Sequence, residues 1–107
     1  MASHAATDPV LRRFRAALGQ AYGDRIERVI LYGSRARGNH QPDSDYDVAV
    51  FLRGPFDRWQ EMEHIIPIVT VALYEDEACI HAMPFRADAY RDRTPLMAEI
   101  RREGIDL

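Results

Sequence analysis

At 107 residues the chain can bury only about two-thirds of the surface its unfolded form exposes, so one compact core is the expectation. A composition of 47% hydrophobic and 29% charged residues argues against a disordered or fibrous chain and names no activity. The formal net charge of −3 argues against an extended nucleic-acid surface, which needs clustered cations to displace counterions. Arginine predominates among the basic residues, and its planar fork suits phosphate and carboxylate better than lysine does.

A single cysteine, Cys79, can form no internal disulfide, which fits a reducing compartment. Lying in an apolar run, it reads as a small buried side chain. No apolar stretch approaches the ~20 residues of a membrane span, and residues 1–20 hold no hydrophobic signal core, so the cytoplasm is the expected location.

Asp8 and Pro9 read as the cap and first position of a helix. Val10, Leu11, Phe14, Ala17, Leu18 and Ala21 then recur at helical spacing as far as Gly23. Ile26 to Tyr32 is short, rich in β-branched residues and apolar on both faces at its end, which predicts a central strand. Gly33 to Ser44 is polar, with two glycines and a proline, and predicts a loop with room for one helical turn after Ser34. Asp45 to Leu52 is the second predicted strand, ended by Gly54 and Pro55; its period of two puts Asp45 and Asp47 on one face.

From Asp57 onward, Trp59, Met62, Ile66, Val69 and Leu73 step by three and four, which predicts a helix with that stripe turned inward, kinked or split at Pro67. Phe56, Trp59 and Met62 accordingly read as core and not as a base-stacking patch. After the acidic cluster Glu75 to Glu77, residues 78–83 predict a third strand stopped by Pro84. Thr94 caps, Pro95 opens and Gly104 closes a last helix, with Leu96, Met97 and Ile100 inward and Arg101 and Arg102 at its C-terminal end. The order is helix, strand, strand, helix, strand, helix, an α+β arrangement.

Two carboxylates at i and i+2 on one strand face are costly to bury without a cation. Mg²⁺ is typically held by one or two carboxylates together with substrate phosphates. Just upstream, Gly33 permits close backbone approach, Ser34 and the amides of the following turn offer donors to an anion, and Arg35 and Arg37 add positive charge. Alone, a Gly-Ser after a strand is an ordinary turn, and an Asp-x-Asp after Pro-Asp-Ser is ordinary turn capping. Joined as strand, Gly-Ser, ten residues and Asp-x-Asp on a strand, the two signals reinforce each other.

Residues 31–52, LYGSRARGNHQPDSDYDVAVFL, resemble the signature of the DNA polymerase β-like nucleotidyltransferase superfamily, and closely that of its minimal, single-domain bacterial branch. The resemblance implies a small mixed sheet with helices packed on it over residues 1–107, Gly33 and Ser34 gripping the triphosphate of ATP, and Asp45 and Asp47 holding Mg²⁺ or Mn²⁺. In that family a third carboxylate sits on the third strand; aligned by its Pro-Phe ending, CIHAMPF places His81 there. An imidazole in that position suits Mn²⁺ or Zn²⁺ better than Mg²⁺ and could instead serve as the general base. Asp76 is a remoter substitute for the missing carboxylate. Tyr46 points away from the two aspartates and His40 reads as facing solvent.

Members of the minimal branch are paired with a small helical HEPN-domain protein in toxin–antitoxin systems. The resemblance therefore implies an antitoxin that transfers AMP from ATP to a tyrosine hydroxyl of its partner. The competing reading is a non-catalytic module of the same fold that neutralises a partner by binding, which His81 favours. A homo-oligomer is compatible with either, and nothing points to a membrane.

Overall fold

The computed structural model describes residues 7–107. Helix α1 (Pro9–Tyr22) begins at Asp8, whose Oδ1 accepts the Val10 N–H at 2.9 Å, and buries Leu11, Phe14, Leu18 and Tyr22. Strand β1 (Ile26–Tyr32), the single turn α2 (Ser34–Arg37) and strand β2 (Tyr46–Leu52) follow. Helix α3 (Arg58–Asp76) then crosses to strand β3 (Ile80–Arg86), and α4 (Pro95–Glu103) leads into the two-residue strand β4 (Ile105–Asp106).

The sheet order is β3-β2-β1-β4. Strands β1 and β2 are antiparallel with Tyr32 opposite Asp47, β2 and β3 are parallel with Asp47 opposite His81, and β4 runs antiparallel to β1. Strand alternation divides the core in two. Val29, Leu31, Tyr46, Val48, Val50 and Leu52 pack under α1 and α3. Ile30, Ala49 and Phe51 face the other way, onto Met97 and Ile100 of α4. A nine-residue helix is about 13 Å long against about 23 Å for a seven-residue strand. Consequently α4 covers only part of that face, on which Tyr32, packed against the Met97 and Ile100 cluster, Asp47 and His81 form a row across β1, β2 and β3.

Several boundaries and orientations differ from the sequence expectation. Strand β2 begins at Tyr46, with Asp45 immediately ahead of it. Strand β3 runs through Pro84 to Arg86; as an edge strand with a partner on one side only, it tolerates a residue lacking an N–H. Helix α3 is continuous through Pro67, which removes a bond to the carbonyl of Glu63; both residues face solvent, where water can satisfy that carbonyl.

Most of the apolar stripe expected to face inward on α3 is instead turned out: Trp59 is 81%, Ile66 53% and Leu73 51% exposed and Met62 is half-buried, while Val69, and Phe56 ahead of the helix, are partly buried against the core as expected. The helix buries Glu61, Ile65 and Ala72. It is apolar on more than one side, so periodicity permits either rotation; the choice is made by Glu61, whose carboxylate meets Arg25 at 3.0 Å and whose carbonyl accepts the Tyr22 O–H at 3.2 Å. In α4, Met97 and Ile100 are buried while Leu96 is largely exposed. Cys79, expected inside, is exposed.

Candidate active site

Where β1 ends, Gly33 turns the chain with φ 77° and ψ −157°, a conformation essentially restricted to glycine. It is buried, and a Cβ placed on it would stand 2.5 Å from Oδ2 of Asp47. The antiparallel register, which sets Tyr32 opposite Asp47, makes this contact unavoidable: the bend after Tyr32 passes directly over the carboxylate. The Gly33 carbonyl accepts the N–H groups of Ala36 and Arg37, each at 3.1 Å. As at any helix start, the first amides of α2, those of Ser34 and Arg35, have no carbonyl within the turn to bind. The cradle expected at Gly33 and Ser34 therefore lies against Asp47.

The two arginines of the turn part ways. Arg35 donates from Nε to the Ser44 carbonyl at 2.9 Å and from Nη2 to that of Pro42 at 3.0 Å, with its guanidinium 3.9 Å over the Tyr46 ring. It closes the loop onto β2, so the structure gives it a clamping position and not the free phosphate-facing one expected. Arg37 pairs with Glu103 at 3.3 Å and lies near enough to Asp47 to favour its charged form.

Asp45, Asp47, Cys79 and His81 form a two-by-two block. Tyr46 is in register with Ile80 and Asp47 with His81, so Asp45 and Cys79 face each other one residue ahead of the first pair. The Tyr46 N–H bonds to the Cys79 carbonyl at 2.9 Å, which fixes the two strand starts together. Nε2 of His81 stands 3.2 Å from Oδ2 of Asp45. Donor atoms of Asp45, Cys79 and His81 all lie within 4.8 Å of one another.

Partial burial pushes the Asp47 carboxyl above the usual carboxylate range, with Asp45 adding to the effect and His81 and Arg37 opposing it. Burial, then the charges of Asp47 and Glu99, raises the Tyr32 hydroxyl likewise. Partial desolvation, with the neighbouring Asp45 to which it hydrogen-bonds, holds the Cys79 thiol above its ordinary value. Two adjacent carboxylates, one disfavoured in its charged form, with a backbone bend that leaves room only because a side chain is missing, suit a divalent cation shared with an anionic ligand.

Other candidates are accounted for elsewhere. Asp76 is bound by Arg13 across α1 and α3. The hydroxyl of Tyr46 donates to Oδ2 of Asp8 at 2.8 Å, on the face away from the aspartates. His40 is half-buried, its Nδ1 shielded from water, not solvent-facing. Cys79, read from the sequence as a buried side chain, joins the two-by-two block: Cys-x-His at the start of β3 repeats the spacing of Asp-x-Asp at the start of β2, which puts both pairs on one face. Among the described residues no helix is long and apolar enough to cross a membrane.

A protein of Methanocaldococcus jannaschii described as a protein adenylyltransferase is 31% identical over 61 residues, which is 57% of this chain and 61% of that protein. The chain thus spans less than two-thirds of that relative. A second such protein from the same organism is 30% identical over 76 residues, 71% of this chain and 70% of that one. The fold also resembles that of a toxin–antitoxin solved with AMP-PNP (TM-score 0.63, 16% identity, 89% of this chain and 69% of that one). It resembles, too, a mutant toxin–antitoxin pair MntA-HpeT (TM-score 0.57, 15% identity, 86% and 68%) and a nucleotidyltransferase of Sulfolobus solfataricus (TM-score 0.55, 15% identity, 98% and 87%). The family model for the nucleotidyltransferase domain matches residues 11–102; running from α1 through α4 and enclosing the whole Gly33-to-Asp47 constellation, that match makes the chain a member of the nucleotidyltransferase family.

Proposed function

We propose that this protein is an antitoxin that transfers AMP from ATP to a tyrosine hydroxyl of a helical HEPN-type toxin. The observation that carries the reading is the contact at Gly33. A glycine in a glycine-only conformation lets the bend pack directly on the carboxylate of Asp47, which sets the free amides of the turn beside a carboxylate where a cation could bridge a polyphosphate to the protein. Relatives described as protein adenylyltransferases support the choice of a protein acceptor.

In this reaction the tyrosine oxygen attacks the α-phosphorus, the bond to the β-phosphate oxygen breaks, and pyrophosphate leaves. Gly33 and the amides of α2 orient the triphosphate, while Asp45 and Asp47 would hold Mg²⁺ or Mn²⁺. When bound, that metal neutralises phosphate charge and stabilises the leaving pyrophosphate. His81, 3.2 Å from Asp45, would take the phenol proton.

Trp59, Ile66 and Leu73 form an outward row on α3, bordered by the half-buried Met62, with the seven-residue repeat of a helix-packing seam. A helical partner fits that row, and the resemblance of the fold to toxin–antitoxin structures points the same way.

The test is incubation of the purified protein with ATP, Mg²⁺ or Mn²⁺ and the product of the neighbouring gene, followed by intact-mass measurement. A gain of one AMP on the partner, lost with Asp47→Ala, is expected. Complex formation with no mass gain under either metal, and equal binding by Asp47→Ala, would decide for a non-catalytic binding module. His81→Asp separates these further: a faster enzyme marks the natural site as degenerate, a slower one marks the imidazole as the base.

A further inference from the structure

The block of four side chains at the start of β2 and β3 contains more than a site for a hard cation. Asp47 sits over the Gly33 bend, half-buried. The other three corners, Asp45, Cys79 and His81, are exposed and converge on each other, with every donor atom within 4.8 Å of the rest. A thiol, an imidazole and a carboxylate form a donor set that Mg²⁺ does not favour and that borderline-soft metals do. We propose that Asp45, Cys79 and His81 form a binding site for a divalent transition metal of the Zn²⁺ class.

The geometry favours closure at little cost. A tetrahedral zinc separates its ligand atoms by about 3.3–3.8 Å, as follows from bond lengths of about 2.0–2.3 Å. Nε2 of His81 and Oδ2 of Asp45 are already 3.2 Å apart. All three side chains are exposed, so reorienting them toward a shared ion does not disturb the core. The backbones are fixed by the parallel register and by the bond from the Tyr46 N–H to the Cys79 carbonyl. Three protein ligands leave a fourth position for water or a phosphate oxygen, the pattern of reactive rather than purely structural zinc sites.

The site shares Asp45 with the Mg²⁺ arrangement proposed above but does not depend on AMP transfer. Its occupation draws Asp45 away from Asp47, so Zn²⁺ should compete with Mg²⁺ for this carboxylate.

Cobalt(II), added to tag-free reduced protein, is the probe. One equivalent should give a thiolate-to-cobalt charge-transfer band, which Zn²⁺ displaces stoichiometrically and a hundredfold excess of Mg²⁺ does not. Cys79→Ser should abolish the band without unfolding the protein, since the side chain is exposed. His81→Ala should weaken cobalt binding at least tenfold, and Asp47→Asn should leave the band in place. Absence of the band in the wild-type protein overturns the inference, as does its persistence in Cys79→Ser or its ready displacement by Mg²⁺. A cobalt band without any AMP transfer would sink the proposed reaction and leave this site standing. AMP transfer with Mg²⁺ but no cobalt band would do the reverse.

Discussion

Replacing Gly33 by alanine tests the reasoning about the site at its narrowest point. At φ 77° and ψ −157° a residue with a side chain costs roughly 1–3 kcal/mol in backbone strain. For a chain of this size each kcal/mol lowers Tm by about 4–8 °C, so the fall should be about 4–24 °C. The new methyl carbon would also lie 2.5 Å from Oδ2 of Asp47. That oxygen is the free end of a side chain, so it moves aside, and affinity for ATP with Mg²⁺ should fall at least tenfold. The control is Gly38→Ala. Gly38 also has positive φ, at 83° with ψ 8°, but nothing stands within 4 Å of a Cβ there, so about 1 kcal/mol of strain is expected with nucleotide affinity retained. Thermal unfolding and calorimetric titration of ATP read the two effects separately. If Gly33→Ala binds ATP as the wild type does, or if Gly38→Ala loses as much affinity, the idea that the Gly33 contact with Asp47 builds the phosphate and metal site is refuted.

Asp47→Asn should stabilise the ligand-free protein at neutral pH while removing metal binding. The folded-state pKa of Asp47 is raised, chiefly by burial, so its ionised form destabilises the fold. That penalty is absent below the unfolded pKa and develops as pH rises through the folded one. Partial exposure keeps it small, and urea unfolding at pH 4 and pH 7 should show the variant's advantage only at the higher pH. Glu61→Ala should cost about 3 kcal/mol in the same assay, because Glu61 is 2% exposed and its removal leaves Arg25 without its carboxylate; the low end of the range for broken buried pairs applies, as Arg25 retains access to water. Ile66→Asp, at the centre of the exposed row on α3, should leave Tm nearly unchanged and weaken partner binding more than tenfold by calorimetry; unaltered binding would remove α3 from the interface.

What the sequence determined is what local chemistry encodes. The Asp8-Pro9 and Thr94-Pro95 starts needed only a side-chain oxygen and a proline with a preset φ, and both helices begin there, with Asp8 bonding the Val10 N–H and Thr94 the Met97 N–H. The run from Ile26 to Leu52 contained two strands, a glycine bend and the two aspartates, because strand periodicity is local and a positive φ requires glycine. The rotation of α3 was beyond it. That helix offers two apolar stripes, and the ties from Glu61 to Arg25 and Tyr22, 36 and 39 residues away, select between them. Nor does any local pattern say that β3 lies parallel to β2 with Asp47 beside His81. Only that pairing brings Cys79 out of its apolar run and sets it against Asp45, since neighbours across a sheet are chosen by the packing of the whole chain.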